Sequence, residues 1–310
     1  MLCSTIIPTV GRPELSRAVE SVLDQDFPTQ DYEVIVVNDS GQPLIKAGWQ
    51  QSERVQVIET FRRERSMARN TGAAIAQGRY LHFLDDDDWL APNALEHFWQ
   101  LSQTSRAVWL YGYSQLVNRQ NNPTIRLQHG LNGNCFIQVM AGEWIPLQAS
   151  LIDAETFFET GGFNPLISGP EDIDLLRRIT LVGEIAETPH VVAFVVRGKK
   201  GSTTDYDEHS KASRWAREKI LDAPGVFNRM RASAKTPYFQ GRIIRIYSTS
   251  LVWNLRRKRL LTAASRGLYG LAGMALSGPR LFSQAFWQAV SKPYANETFK
   301  RGFQEARPLP

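Results

Sequence analysis

Cysteine is scarce in this chain. Cys3 and Cys135 are the only two in 310 residues, and neither falls in a CxxC or a metal-type spacing. A disulfide framework is therefore not expected, which fits a reducing compartment. Long apolar runs are also missing. No stretch reaches the ~20 uncharged apolar residues that a membrane-spanning helix needs. The opening MLCSTIIPTVGR has no basic n-region, and Pro8 interrupts its apolar run, so it does not read as a signal peptide. No internal repeat and no low-complexity segment is present. Nucleic-acid recognition motifs are absent too, and a nucleic-acid partner is not expected.

What remains is an ordinary globular composition, 43% hydrophobic and 22% charged, enough for a real core in one large domain or one domain plus a tail. Its charge is uneven. Residues 1–196 carry 14 Lys and Arg against 24 Asp and Glu, a net of −10, whereas residues 197–310 carry 22 against 7, a net of +15. An acidic body with a basic C-terminal third predicts that the tail meets an anionic surface.

Hydrophobic periodicity places short strands at 2–7, 32–37, 55–58 and 79–84, with helices at 14–23, 65–77 and 92–102. This α/β alternation, with strands that are apolar on both faces, predicts a sheet covered on both sides. Further along, strands are expected at 108–117, 144–152 and 190–198, a loop over 118–134, a short helix at 155–164 and a strong helix at 170–183. From about residue 210 the pattern is mostly helical.

Open α/β sheets bind ligands beyond the carboxyl ends of their strands. Thr9, Asp39 and the run Asp85–Asp88 all follow strand ends, so they are expected to converge on one crevice. The acidic run admits two readings: hard oxygen ligands for Mg²⁺ or Mn²⁺ from Asp85, Asp87 and Asp88, or a solvated turn capping the next helix. Asp172 shares the helix face of Leu175, Leu176 and Ile179, which suits a general base held on a rigid element. Glu171 beside it is readily explained as a first-turn carboxylate complementing the helix dipole. Asp39 also suits an ordinary Asn-Asp-Ser-Gly turn. Arg69-Asn70 could bring charge and an amide to the crevice, or lie on the surface.

Five stretches in order, STIIPTVGR (4–12), EVIVVNDSG (33–41), SMARNTGAAIAQGRYLHFLDDDDWL (66–90), ETGGFNP (159–165) and GPEDIDLLRR (169–178), resemble the family 2 glycosyltransferases. The resemblance covers roughly residues 2–205. It implies an α/β, GT-A-like fold, a Rossmann-type mixed sheet flanked by helices, followed here by a helical C-terminal extension. The implied domains are 1–205, with a donor half to about 105 and an acceptor half from 106, and then 206–310. It also implies inverting transfer of a sugar, expected from a UDP-sugar, to the hydroxyl of a glycan, lipid-linked or small-molecule acceptor. Thr9, Asp39, Arg69, Asp85 and Asp86 would face the nucleotide sugar, with Asp86 the spacer in the acidic run. Asp85, Asp87 and Asp88 would hold Mn²⁺ or Mg²⁺. Asp172 would be the base, with Glu171 and Trp144 toward the acceptor. The alternative is a non-catalytic nucleotide- or glycan-binding protein on the same fold.

Three departures from the family pattern stand out. Val10-Gly11 replace an aromatic-Asn pair, GGFN replaces GGFD, and Lys199-Lys200-Gly201-Ser202 stand where a histidine often precedes Gly-Ser. Lys199 would bind the diphosphate directly, and His209 is a substitute metal ligand. Residues 242–260 mix aromatic and aliphatic residues with arginine, and Trp253, Phe282, Phe286 and Trp287 lie near cations. This suits either an interfacial helix on anionic lipid or a packed helical subdomain. The expected location is cytoplasmic, with the inner face of the cell membrane as the attachment surface.

Overall fold

The computed structural model describes residues 1–291 apart from 63, 119, 168 and 197–205, with the backbone alone for 206–210. Two compact units result. The first comprises Met1–Gly133 and Ile145–Arg214; the second comprises Asn134–Trp144 and the chain from Trp215 onward.

The chain begins β1 (Cys3–Thr9), α1 (Leu15–Leu23), β2 (Tyr32–Asn38), β3 (Val55–Glu59), α2 (Arg65–Ile75) and β4 (Tyr80–Phe83). It continues with β5 (Trp89–Leu90), α3 (Ala94–Thr104), β6 (Trp109–Val117) and β7 (Pro123–Leu127). Next come α4 (Phe136–Met140), which belongs to the second unit, then β8 (Ser150–Asp153), α5 (Ala154–Glu159), α6 (Glu171–Val182) and β9 (Ile185–Val196). The remainder is α7 (Tyr206–Leu221), α8 (Val226–Ser233), α9 (Pro237–Arg256), α10 (Leu260–Ser277) and α11 (Gln284–Ser291).

Among the described residues one nine-stranded mixed sheet runs in the order β3-β2-β1-β4-β8-β6-β9-β5, with β7 paired to β6. Strands β1 to β4 are mutually parallel, and β8 enters antiparallel to both β4 and β6. The register aligns Thr9 with Asn38 and Ile6 with Phe83, which brings the C-terminal ends of β1, β2 and β4 to one edge. Continuous burial of Ile6, Ile7, Val34, Val36, Leu81 and Phe83 is why these strands show no polar alternation. On one side α1 covers them with Leu15, Ala18, Val19 and Val22 at helical spacing.

Three local expectations need correcting. The presumed loop 118–134 contains β7, a polar edge strand with no apolar run to betray it. The strand expected over 144–152 begins only at Ser150, because Pro146 leads into a 3₁₀ turn at Leu147–Ala149. Strand β9 starts five residues earlier than expected, at Ile185; a register shift against β6 between Gly112 and Tyr113 accommodates Pro189. Cys3 and Cys135 are both buried free thiols.

In the second unit α9 opens with Thr236 accepting from Phe239 N–H and Pro237 in the first turn. It packs against α10 and α11, and no helix among the described residues is long and apolar enough to cross a membrane.

Candidate active site

The acidic run turns directly after β4. Leu84 N–H still bonds to Ile6 O, and Asp88 N–H closes the turn on Asp85 O. Arg17 of α1 donates to the Asp87 carbonyl at 3.0 Å while its guanidinium stacks 3.8 Å over Trp89. The turn is thus gripped from α1.

Its four carboxylates differ. Asp85 accepts from Arg69 Nη2 and from Gln148 Nε2, each at 2.8 Å. Burial pushes its carboxyl up, but Arg69, Arg65 and Gln148 outweigh burial and leave it below the ordinary value. Asp86 is buried and accepts from Thr9 Oγ1 and Arg12 Nη1, each at 2.6 Å. It is therefore no mere spacer: it fastens the turn to the end of β1, and burial raises its carboxyl. Asp87 faces Arg12 at 3.7 Å. Asp88 is buried and accepts from Val196 N–H at 2.8 Å, tying the turn to β9. Oxygens of Asp85, Asp87 and Asp88 all lie within 4.8 Å of one another. Three hard oxygen donors so close repel one another, and the set fits Mg²⁺ or Mn²⁺.

Thr9 and Asp39 do reach the same edge, where Asp39 N–H bonds to Thr9 O. Their side chains are committed internally. The Thr9 hydroxyl donates to Asp86 and accepts from Gly11 N–H. Both Asp39 oxygens accept from the following segment, Thr60 Oγ1 and Arg62 N–H on one and Glu64 N–H on the other. Asp39 thereby fastens Thr60, Arg62 and Glu64, and Glu64 in turn caps α2 through Ser66 and Met67 N–H.

Helix α2 lies hard against the sheet: a Cβ on Gly72 would sit 2.5 Å from Ile6 Cγ2 and 3.0 Å from Val37 Cγ2. This close approach aims Arg69 along the sheet edge. Arg69 is buried, not a surface residue, and bridges Asp85 to Glu171, with Nη1 2.9 Å from Glu171 Oε1. Asn70 does not enter the crevice. Its amide donates to Phe163 O and accepts from Phe163 N–H, locking the GGFN turn that Arg178 grips through Thr160 O and Gly162 O.

At the start of α6 the expected roles shift. Glu171 is the buried member of the pair, held by Arg69, with Arg65 3.6 Å away and its Oε2 without a hydrogen-bond partner. Simple dipole capping does not account for that. Asp172 is half-buried and accepts from Ile173 N–H at 2.7 Å. Burial, and then the neighbouring Glu171 charge, push its carboxyl up to about 6.

Gln148, Arg17 and Arg65 carry no sequence signal of their own, and Arg12 only its place at the end of STIIPTVGR; tertiary packing brings all four here. Gln148 is placed by buried His82, whose Nε2 faces Gln148 O at 2.9 Å while Nδ1 faces Thr5 Oγ1 at 3.1 Å. A carbonyl only accepts, so Nε2 carries the proton and Nδ1 accepts from Thr5. Burial lowers His82 to about 4, so the ring stays neutral near pH 7. Trp144 belongs to the second unit and is half-buried. Lys199 to Ser202 and the His209 side chain lie outside the described residues.

The family model Glycosyl transferase family 2 matches residues 4–163, half of the chain. The chain belongs to this family. Among family 2 relatives, it is 31% identical over 115 residues to the poly(ribitol-phosphate) β-N-acetylglucosaminyltransferase TarP of Staphylococcus aureus, covering 35% of each chain. It is 27% identical over 168 residues to a poly(ribitol-phosphate) β-glucosyltransferase of Bacillus spizizenii, covering 52% of this chain and 24% of that one. The matches thus span about a third and a quarter of those relatives' own lengths. The crystal structure of S. aureus TarS 1–349 with UDP-GlcNAc superposes with a TM-score of 0.62 at 15% identity, covering 97% of this chain and 92% of that one. This likeness establishes the GT-A-like fold. The family 2 match includes the acidic run and ends at Phe163, within the GGFN turn, so it does not reach Glu171 and Asp172 at the start of α6.

Proposed function

We propose that this chain transfers a sugar, with inversion, from a nucleotide-diphosphate sugar to an acceptor hydroxyl, with Asp172 as the general base. The observation that carries this reading is the pairing at the start of α6. Arg69 holds the Glu171 charge, and Asp172 is raised to about 6. A base of that basicity is ionised at neutral pH yet takes up a proton far more readily than an ordinary aspartate. Its acceptance from Ile173 N–H fixes the carboxylate on a rigid helix start. The acceptor hydroxyl would give its proton to Asp172 as its oxygen attacks the anomeric carbon, opposite the departing nucleotide.

On the donor side, Asp85, Asp87 and Asp88 would hold Mn²⁺ or Mg²⁺, which supplies positive charge for the diphosphate when bound. Thr9, Asp39, Arg69 and Asp86 frame the nucleotide half. Because their side chains are already bonded within the protein, their contribution is a pre-shaped wall rather than free donors. The solved complexes of TarS with UDP-GlcNAc and with UDP support a uridine nucleotide donor. The names of TarP and the Bacillus relative, both poly(ribitol-phosphate) glycosyltransferases, support a hydroxyl-bearing polymer as acceptor class, with Glu171 toward it.

The test is Asp172→Asn. Transfer should fall about a hundredfold or more, while calorimetric binding of the UDP-sugar with Mn²⁺ stays within a few-fold. Transfer at a near wild-type rate would overturn the assignment of the base.

A further inference from the structure

Helix α10 is amphipathic in reverse. Its buried residues are Ala263, Arg266, Gly270, Gly273 and Ser277, whereas its large apolar residues point outward. At about 100° per residue, Leu261, Ala264, Leu268, Leu271 and Ala275 fall on one stripe opposite the buried set, and all are exposed. Leu261 is 90% exposed. A surface helix of a globular protein normally turns such a stripe toward its core.

Two features of this unit fix that orientation. Gly273 lets α10 approach α9 closely: a Cβ there would meet Ile244 Cδ1 at 2.7 Å. Arg266, the only charged residue of α10, is 3% exposed and inserted among polar groups of α7 and α9. It donates to Ser250 Oγ and Leu221 O, each at 3.1 Å, and pairs with Asp222, with Glu218 Oε2 3.7 Å away. Rotating α10 to hide its leucines would withdraw Arg266 and leave the buried Glu218 without its countercharge.

The charge around the stripe has one sign. Between Ala223 and Ser291 there are eleven Lys and Arg and no Asp or Glu. Arg256, Arg257, Lys258 and Arg259 are exposed just before α10, and Arg280 just after it, followed by Phe282 at 91% exposure and Trp287 at 53%. A second copy of this chain would bring like charge to like charge. An anionic bilayer offers both apolar depth and opposite charge. Spanning is not expected of α10, which carries Arg266 mid-helix and, like every other helix among the described residues, is not long and apolar enough to cross a membrane.

We propose that the outward stripe of α10, with Arg256–Arg259 and Arg280 at its ends, seats this unit on an anionic lipid bilayer, with α10 lying in the interface plane. This surface is independent of the transfer chemistry proposed above.

The test is co-sedimentation of the full chain with phosphatidylcholine vesicles with and without phosphatidylglycerol. Binding should require phosphatidylglycerol and weaken as salt rises. Combining Leu261→Ser, Leu268→Ser and Leu271→Ser should cut partitioning about tenfold or more. Combining Arg256→Gln, Arg257→Gln and Arg259→Gln should cut it about fivefold per charge. UDP-sugar binding should persist in both variants. Failure of the wild-type chain to bind phosphatidylglycerol vesicles would overturn the proposal, as would unchanged binding of the leucine variant. A wild-type dimer that the leucine variant dissolves, with vesicle binding unaltered, would assign the face to a second copy instead. Should the leucine variant not fold, the arginine variant decides, and its retention of full binding overturns the proposal.

Discussion

Arg69 Nη1 lies 2.9 Å from Glu171 Oε1, and both side chains are buried although 102 residues separate them in the chain. The other arm of the same guanidinium holds Asp85. One cation thus ties the start of α6 to the acidic turn after β4.

Removing that cation leaves two carboxylates short of a partner. Arg69→Met is expected to lower stability by about 3–5 kcal/mol, read from urea denaturation. Arg69→Lys should recover only part of the loss, because an ammonium does not reproduce the fork that bonds both carboxylates. A stability change within ~0.5 kcal/mol would show that the bridge contributes little.

Asp172 makes a signed pH prediction. Its carboxyl rises from 3.8 to about 6 in the folded protein. Between those values the folded state binds more protons than the unfolded chain, so stability falls as pH rises through that window. Asp172→Asn should therefore stabilise the protein at pH 7.5 by about 1–2 kcal/mol after discounting for partial exposure, and by almost nothing near pH 4. The wild-type kcat/KM should drop on the acid side with an apparent pKa near 6. A rate that stays flat down to pH 5 counts against Asp172 as the base.

Metal binding can be read without turnover. Asp87→Asn removes one of three clustered carboxylates and should weaken Mn²⁺ binding about tenfold or more, followed by the electron paramagnetic resonance signal of free Mn²⁺. Chelation by EDTA should lower the thermal midpoint measured with a UDP-sugar present. Equal Mn²⁺ affinity in variant and wild type would remove Asp87 from the ligand set.

Gly72 tests the path from packing to site. A methyl at this position meets Ile6 and Val37 at 2.5 and 3.0 Å, so Gly72→Ala forces α2 away from β1 and β2. The expected cost is about 1–3 kcal/mol, together with a weaker UDP-sugar interaction as Arg69 shifts. Wild-type stability and donor affinity together would mean that the helix seat is softer than its contacts imply.

Much of this architecture was legible from pattern. Strands β1, β2 and β4 are buried on both faces, so their apolar runs were unbroken and their ends could be read to within a residue or two. The GPEDIDLLRR helix carried its own boundaries in Pro170 and Gly183. Edge and corner elements were not legible. Strand β7 is polar because it sits at an edge, and the early half of β9 was hidden by Pro189, which only a register shift against β6 tolerates.

The sequence alone determined the family, the α/β order, and the set of acidic residues gathered at the strand ends, because each follows from local periodicity and ordered motifs. Only tertiary structure decided what each residue does. Glu171 became the buried ion-paired carboxylate and Asp172 the one raised toward neutrality; Asp86 became an anchor to Thr9; Asn70 became a clasp on the GGFN turn. These roles depend on desolvation and, for Glu171, Asp86 and Asn70, on partners scores of residues away; even for Asp172, where adjacent Glu171 contributes, burial is the larger cause, and burial is not encoded in a residue's immediate neighbours along the chain.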